Sequence, residues 1–353
     1  MRRSFAAKGA AVAAAATLGL AMTACENAGD GNGGDTADGD TDLRIGLAYD
    51  IGGKGDKSFN DSAFRGLERV KDDLGIENVR DFEPKDGEAD SDKEERLKLM
   101  ATEGYDVIIA VGFAYEEPLK KVAPEFPDVD FAIIDSRIEE DGLDNITSLV
   151  FAEEQASFLA GAAAALKSED DHIGFVGGME LPLIKKFEAG YVAGAKEIND
   201  DIDIDISYLS QPPDDSGFND PARGESTAKG QFDKGADVIF HAAGASGTGV
   251  LKSAAAEEKL FIGVDSDQYE SAPDDQKPYV VTSALKQVDH AVFEYVKAIV
   301  DGDPQSGVQE FDLSDGGVDY TTSNAEQIDD IKDRLDELKQ KIIDGEIEVP
   351  TTP

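Results

Sequence analysis

The residues best suited to hold a ligand come as a repeated tripeptide. Phe59-Asn60-Asp61 in the N-terminal half recurs as Phe218-Asn219-Asp220 in the C-terminal half. Each copy follows a Gly/Asp-rich stretch and opens a predicted helix. Asn and Asp are ordinary helix caps and Phe an ordinary hydrophobic staple, which accounts for each copy by itself. One copy in each half, both at strand-to-helix mouths, also fits two aromatic faces closing on a flat ligand. Stacking of that kind contributes about 1–3 kcal/mol per base in nucleic-acid systems.

Three more segments carry chemistry at predicted strand ends. Tyr49-Asp50 ends the first strand, and a loop from Gly52 to Asp61 follows. Its Gly-Lys and Lys-Ser pairs invite a phosphate-loop reading. Asp56 interrupts the required Gly-Lys-Ser and sets a carboxylate where phosphate would bind. Gly244-Ala245-Ser246-Gly247-Thr248-Gly249 opens a helix and offers backbone N–H groups to an oxygen-bearing ligand. Its glycine spacing is not that of a dinucleotide fingerprint. Asp265 ends one strand and Lys286 stands at the end of the next. A carboxylate and an ammonium so placed suit vicinal hydroxyls, one accepting and the other donating. A helix cap and a surface lysine are the plainer alternative.

Catalysis finds little support. His172, His241 and His290 are widely spaced, with no Ser/His/Asp arrangement, and the single Cys excludes a Cys-based zinc cluster. Asp201, Asp203 and Asp205 alternate as a solvated strand edge would. Asp38, Asp40 and Asp42 lack the Gly and Glu of a calcium loop. A nucleoside hydrolase or phosphorylase would need a positioned acid, metal or activated nucleophile. The expectation is a binding protein, not an enzyme, with no cofactor.

The elements that must position these residues alternate along the chain. Short apolar runs (Leu43–Tyr49, Asp106–Val111, Val129–Ile134, Ile173–Val176, Asp237–Phe240, Leu260–Val264) read as buried strands. Amphipathic segments between them read as helices. The pattern predicts an α/β fold with parallel sheets covered on both faces. About ten strands suit two doubly wound lobes better than one domain, and ligands bind beyond the carboxyl ends of such strands. Near the end, Ile328, Ile331, Leu335, Leu338 and Ile342 step by three and four before Gly345, predicting a packed helix over 325–346.

The 353 residues hold 33 Lys+Arg against 75 Asp+Glu, a net charge of −42, with 40% hydrophobic residues. So acidic a chain is repelled by phosphate backbones, which excludes nucleic acid as a partner, yet it is apolar enough to fold. Arg2, Arg3 and Lys8 precede an Ala/Leu-rich run, then Met22-Thr23-Ala24-Cys25. That is the layout of an export signal over 1–24, and its end resembles a bacterial lipobox in which Cys25 takes a diacylglycerol. Met22 stands where Leu is usual, and an ordinary secretory signal is the alternative. The paired arginines leave the export route open. Cleavage before Cys25 removes three positive charges and no acid, taking the charge from −42 to −45. Residues 25–42, rich in Gly, Asp and Thr, read as a flexible tether.

The motifs GLAYD, DKSFND, VGF, EEQASFLAG, GFVGG, FEAG, GADVIFHAAG, GVDSDQ and TSALK stand in that order from Leu43 onward. In this the chain resembles the basic membrane protein family of substrate-binding lipoproteins, which includes purine-nucleoside receptors of ABC importers. The resemblance implies a type I periplasmic-binding-protein clamshell with a three-strand hinge. It implies lobes at 43–149 plus 284–305 and at 150–283 plus 306–324. It implies that Phe59 and Phe218 sandwich a base, that Asp50 and Asn60 bond its edge, and that Asp265, Lys286 and the backbone at Gly244 hold the ribose. Members often place a base-reading Asp soon after the VGF strand; the matching residue here is Glu117, a departure that leaves the base open. Implied partners are a nucleoside and a membrane permease driven by a separate ATPase, for a lipid-anchored monomer on the outer membrane face. A surface lipoprotein or sensor subunit with the same clamshell is the alternative.

Overall fold

A computed structural model describes residues 42–85 and 87–353. The expected signal, Cys25 and all of the tether but its last residue lie outside the described residues. Among those described are twelve strands: β1 (Ile45–Ala48), β2 (Val79–Phe82), β3 (Val107–Ala110), β4 (Asp130–Ile134), β5 (Ile146–Phe151), β6 (His172–Met179), β7 (Asp203–Ser210), β8 (Val238–Ala242), β9 (Leu260–Asp265), β10 (Val280–Lys286), β11 (Gly307–Phe311) and β12 (Val318–Tyr320).

They form two six-stranded sheets, ordered β11-β5-β4-β3-β1-β2 and β12-β10-β9-β8-β6-β7. The first is parallel throughout. The second is parallel except for β12, which runs against β10. The central strands β1, β3 and β8 are fully buried, as apolar runs covered by helices on both faces must be. The edge strands β2 (VRDF) and β7 (DIDISYLS) carry charges and are only partly buried, which discourages pairing with another chain. Asp203 and Asp205 lie on that β7 edge, where Asp205 meets His172 and Lys234 at 3.3 Å each.

The chain crosses between the sheets three times, after β5, after β10 and between β11 and β12. The crossings are tied to one another: Ala152 N–H donates to the Phe311 carbonyl (2.9 Å) and Gln287 N–H to that of Gly317 (2.8 Å). Two strand memberships differ from the expected lobe boundaries. Residues 284–286 belong to β10 of the second sheet, and β11, expected with the second lobe, pairs with β5 of the first. Each crossing falls in a connection between elements, and composition does not mark it.

Two of the sequence motifs serve packing. EEQASFLAG lies in the helix Glu153–Lys167 and FEAG in the helix Pro182–Ile198. A Cβ at Gly190 or Gly194 would sit 2.1 Å from the Glu154 carbonyl oxygen or 1.8 Å from that of Phe158. The glycines let these helices touch backbone to backbone. At the C-terminal end, the single helix expected over 325–346 is two, Ala325–Ile328 and Lys332–Ile343, separated by a turn. The five apolar residues of the stripe are all buried. No helix among the described residues is long and apolar enough to cross a membrane.

Candidate functional site

A cavity opens where the carboxyl ends of both sheets face each other. It holds about 590 Å³ of empty space including its open mouth, and its lining includes Asp50, Phe59, Phe113, Asp135, Phe218, Gly244, Asp265 and Lys286. Asp50 follows β1, Phe113 follows β3 and Asp135 follows β4 of the first sheet; Gly244 follows β8, while Asp265 and Lys286 end β9 and β10 of the second.

In the Gly52–Asp61 loop a side-chain carboxylate stands at the start of the following helix. The Asp56 carboxylate accepts from the backbone N–H groups of Ser58 (2.9 Å), Asn60 (2.8 Å) and Asp61 (3.1 Å), and from Asn60 Nδ2 (3.1 Å). It fills the anion position at the start of the helix Phe59–Leu74 with the protein's own charge. Burial pushes its pKa up to about 6 against these hydrogen bonds.

Asn60 is a brace for Asp50. Its Oδ1 accepts from Asp50 N–H at 3.0 Å, and its Nδ2 donates to Asp56 and, at 3.3 Å, to the Ile51 carbonyl. Both amide protons thus have partners within the protein. The buried Asp50 Oδ1 has no hydrogen-bond partner among the described residues. Asp50 Oδ2 lies 1.9 Å from where a Cβ on residue 112 would stand, and residue 112 is glycine with φ +94°. Desolvation raises the Asp50 pKa to about 7, opposed by hydrogen bonding from the Ile51 backbone and by the charge of Lys93.

The opposite end of the cavity is built on Lys286. Its Nζ lies 2.5 Å from Asp135 Oδ2, 3.8 Å from Asp265 Oδ1 and 4.6 Å from the centroid of the Phe59 ring. Ser58 Oγ donates to Asp265 Oδ2 at 2.5 Å. Burial works against the ammonium, but the charges of Asp135 and Asp265 outweigh it and hold its pKa above the ordinary lysine value.

Seven of the eight residues singled out as ligand contacts line this cavity: Asp50, Phe59, Asn60, Phe218, Gly244, Asp265 and Lys286. Glu117 does not. Its side chain is 65% exposed and pairs with Lys120 at 3.2 Å on the outer face of the helix Glu116–Val122. One helical turn earlier, Phe113 forms the wall instead, its ring centroid 6.1 Å from that of Phe218. The two Phe-Asn-Asp copies share only the aromatic role. Asn60 is buried and braces Asp50, whereas Asn219 is exposed and Asp220 caps the helix Pro221–Phe232 through Arg223 N–H (2.9 Å). Sequence reasoning missed Phe113 and Asp135. The signal for Asp135 was present: Phe131–Ser136 (FAIIDS) matches Phe261–Ser266 (FIGVDS) in its Phe, Asp and Ser. His241 lies behind the site, fully buried, with Nε2 2.8 Å from Gln268 Oε1 and its ring on Phe261.

Two mainly parallel sheets, joined by three crossings around an interior cavity at their carboxyl ends, define a two-lobed solute-binding protein. The model of the family described as "ABC transporter substrate-binding protein PnrA-like" matches residues 44–353. The chain belongs to this basic membrane protein family, whose members bind substrate for ABC transporters and are not enzymes. It is 33% identical to the "ABC transporter nucleoside-binding protein BmpA" of Lactococcus lactis subsp. cremoris, over 88% of this chain and 90% of that one. It is 32% identical to "Basic membrane protein A" of Borreliella burgdorferi, over 84% of each. Among solved structures, an ABC transporter solute-binding protein from Aeropyrum pernix K1 matches with a TM-score of 0.74 and 29% identity, covering 88% of this chain and 93% of that one.

Proposed function

We propose that this protein is the receptor of an ABC importer for nucleosides, purine nucleosides above all, tethered by a diacylglycerol on Cys25 to the outer face of the membrane. The observation that carries this reading is the pairing, in one cavity, of half-buried phenylalanines with a buried carboxylate oxygen that has no donor among the described residues. A flat base supplies both what the rings stack on and the N–H that Asp50 Oδ1 lacks. Asp265 and Lys286 suit ribose hydroxyls. Asp56 occupies a helix-start position that a phosphate could otherwise use, which favours a nucleoside over a nucleotide. The name of the Lactococcus relative supports the same ligand class.

Binding would proceed by stacking on one half, followed by hinge closure about the three crossings. The closed form then docks on a membrane permease, with ATP hydrolysed by a separate subunit. The test is titration of Phe59→Ala and Phe218→Ala with guanosine and inosine. Each is expected to lose about 1–3 kcal/mol of binding with an unchanged melting profile. Unaltered affinity in both would remove the stacking model.

A further inference from the structure

We infer that a seam of side chains outside the ligand cavity latches the two lobes to each other, holds a share of the ligand-free molecules closed and sets how long any ligand stays. The latch does not depend on which ligand is bound; only its effect on release rests on the nucleoside reading above. The seam joins the loop and helix after β1, in the first lobe, to the residues after β9, in the second. Ser266 is its centre. Its Oγ donates to the Ser58 carbonyl at 2.8 Å and accepts from Arg65 Nη2 at 3.0 Å. Lys57 engages the second lobe at both ends. Its Nζ donates to the Ser271 carbonyl at 3.3 Å, and its own carbonyl accepts from Gln268 Nε2 at 3.5 Å. Its backbone is left-handed, φ 56°, a conformation that a non-glycine residue keeps only where its surroundings fix it.

Lys57, Arg65, Ser266 and Gln268 do not line the ligand cavity. Ser58, Ser266 and Gln268 are buried, so the seam excludes water as an interface core does. The second lobe presents its side ready-made. Gln268 Oε1 accepts from Val264 N–H at 3.3 Å and lies 2.8 Å from His241 Nε2, and Gln268 N–H donates to Ser283 Oγ at 3.1 Å. These contacts fix the side chain with Nε2 directed at the first lobe. They also give a role to His241, which is fully buried behind the site. A side chain already ordered loses little freedom when the lobes meet.

These bonds form as the lobes close and are lost as they open. They therefore shift that equilibrium by the same amount for every ligand. Apparent affinity scales with the fraction of molecules in the binding-competent state. Loss of the seam weakens all ligands alike, chiefly by speeding release, and leaves the preference among them unchanged. A residue that touches the ligand would instead change that preference.

The experiment compares the chain from Glu26 onward with Arg65→Met, Ser266→Ala and the double variant, which leave every cavity residue in place. Small-angle X-ray scattering without ligand should give a larger radius of gyration for the double variant than for wild type. Stopped-flow release of guanosine and of inosine should be about tenfold faster in the double variant, the effect of losing one or two hydrogen bonds, with the affinity ratio of the two ligands unchanged. Arg65→Met, an exposed residue with no bond to Asp265, should move both readouts the same way by a smaller amount. An unchanged radius of gyration would overturn the latch, and so would release at the wild-type rate. A changed affinity ratio would also overturn it, because Ser266 would then act on the ligand through Asp265. Should the double variant fail to fold, Arg65→Met decides. If wild type binds neither nucleoside, the nucleoside reading fails and the scattering comparison still decides the latch.

Discussion

Lys286 and Asp135 stand 2.5 Å apart, Nζ to Oδ2, although their strands belong to different sheets. Both side chains are about 5% exposed. Asp265, 3.8 Å from the same Nζ, is held by Ser58 of the first half, and Ser266 Oγ donates to the Ser58 carbonyl at 2.8 Å. The two halves thus meet directly at the end of the cavity.

Removing Lys286 leaves Asp135 buried without its cation. Lys286→Met is expected to destabilise the ligand-free protein by about 3–5 kcal/mol, the usual consequence of breaking one side of a buried pair. Chemical denaturation at neutral pH measures it. The deficit should shrink in acid, where Asp135 takes up a proton.

Gly112→Ala should be damaging out of proportion to one methyl group. The new Cβ would fall on the Asp50 carboxylate, and φ +94° disfavours any side chain. The backbone strain alone is about 1–3 kcal/mol. Displacement of Asp50 should also weaken nucleoside binding more than tenfold, read by titration of the folded variant.

The ligand-free protein should grow more stable as pH falls from about 7 to about 5. Asp50 and Glu153 have pKa values raised to about 7 and Asp56 to about 6, each chiefly by desolvation, above ordinary values of 3.8 for Asp and 4.5 for Glu. Between the ordinary and the raised value, the folded chain keeps a proton that the unfolded chain has lost, so raising the pH favours unfolding. Melting temperatures across pH 5–8 test this, and Asp50→Asn should flatten the slope.

Phe113→Ala should weaken binding by about 1–3 kcal/mol, the effect of losing one ring that stacks on the ligand. A Glu117→Gln change, on the exposed face, should leave affinity unaltered. Parallel titrations of the two variants separate the roles.

The fold and the strand-end residues were legible because a parallel α/β sheet puts its ligands at one predictable edge. Asp50, Gly244, Asp265 and Lys286 were found that way. Edge strands were harder: VRDF carries charges because one side faces water, so a search for apolar runs passes it by, and β7 showed only through its alternating aspartates. Glu117 shows a different limit. A one-turn helix at Phe113–Tyr115 precedes it, and the rotation that turn imposes decides which side chain reaches the cavity. Asp56 was read as a repellent for phosphate; its four hydrogen bonds make it the occupant of the anion position. Asp135 went unremarked, because its pairing with Lys286 joins residues 151 apart in the chain.

Calorimetric titration of the chain lacking Met1–Cys25 with inosine, guanosine, adenosine, cytidine and free ribose tests the central claim most directly. The account predicts one nucleoside bound per chain, purines in preference to cytidine, and recovery of the ligand unchanged. Binding of ribose alone, or of none of the five, would contradict it.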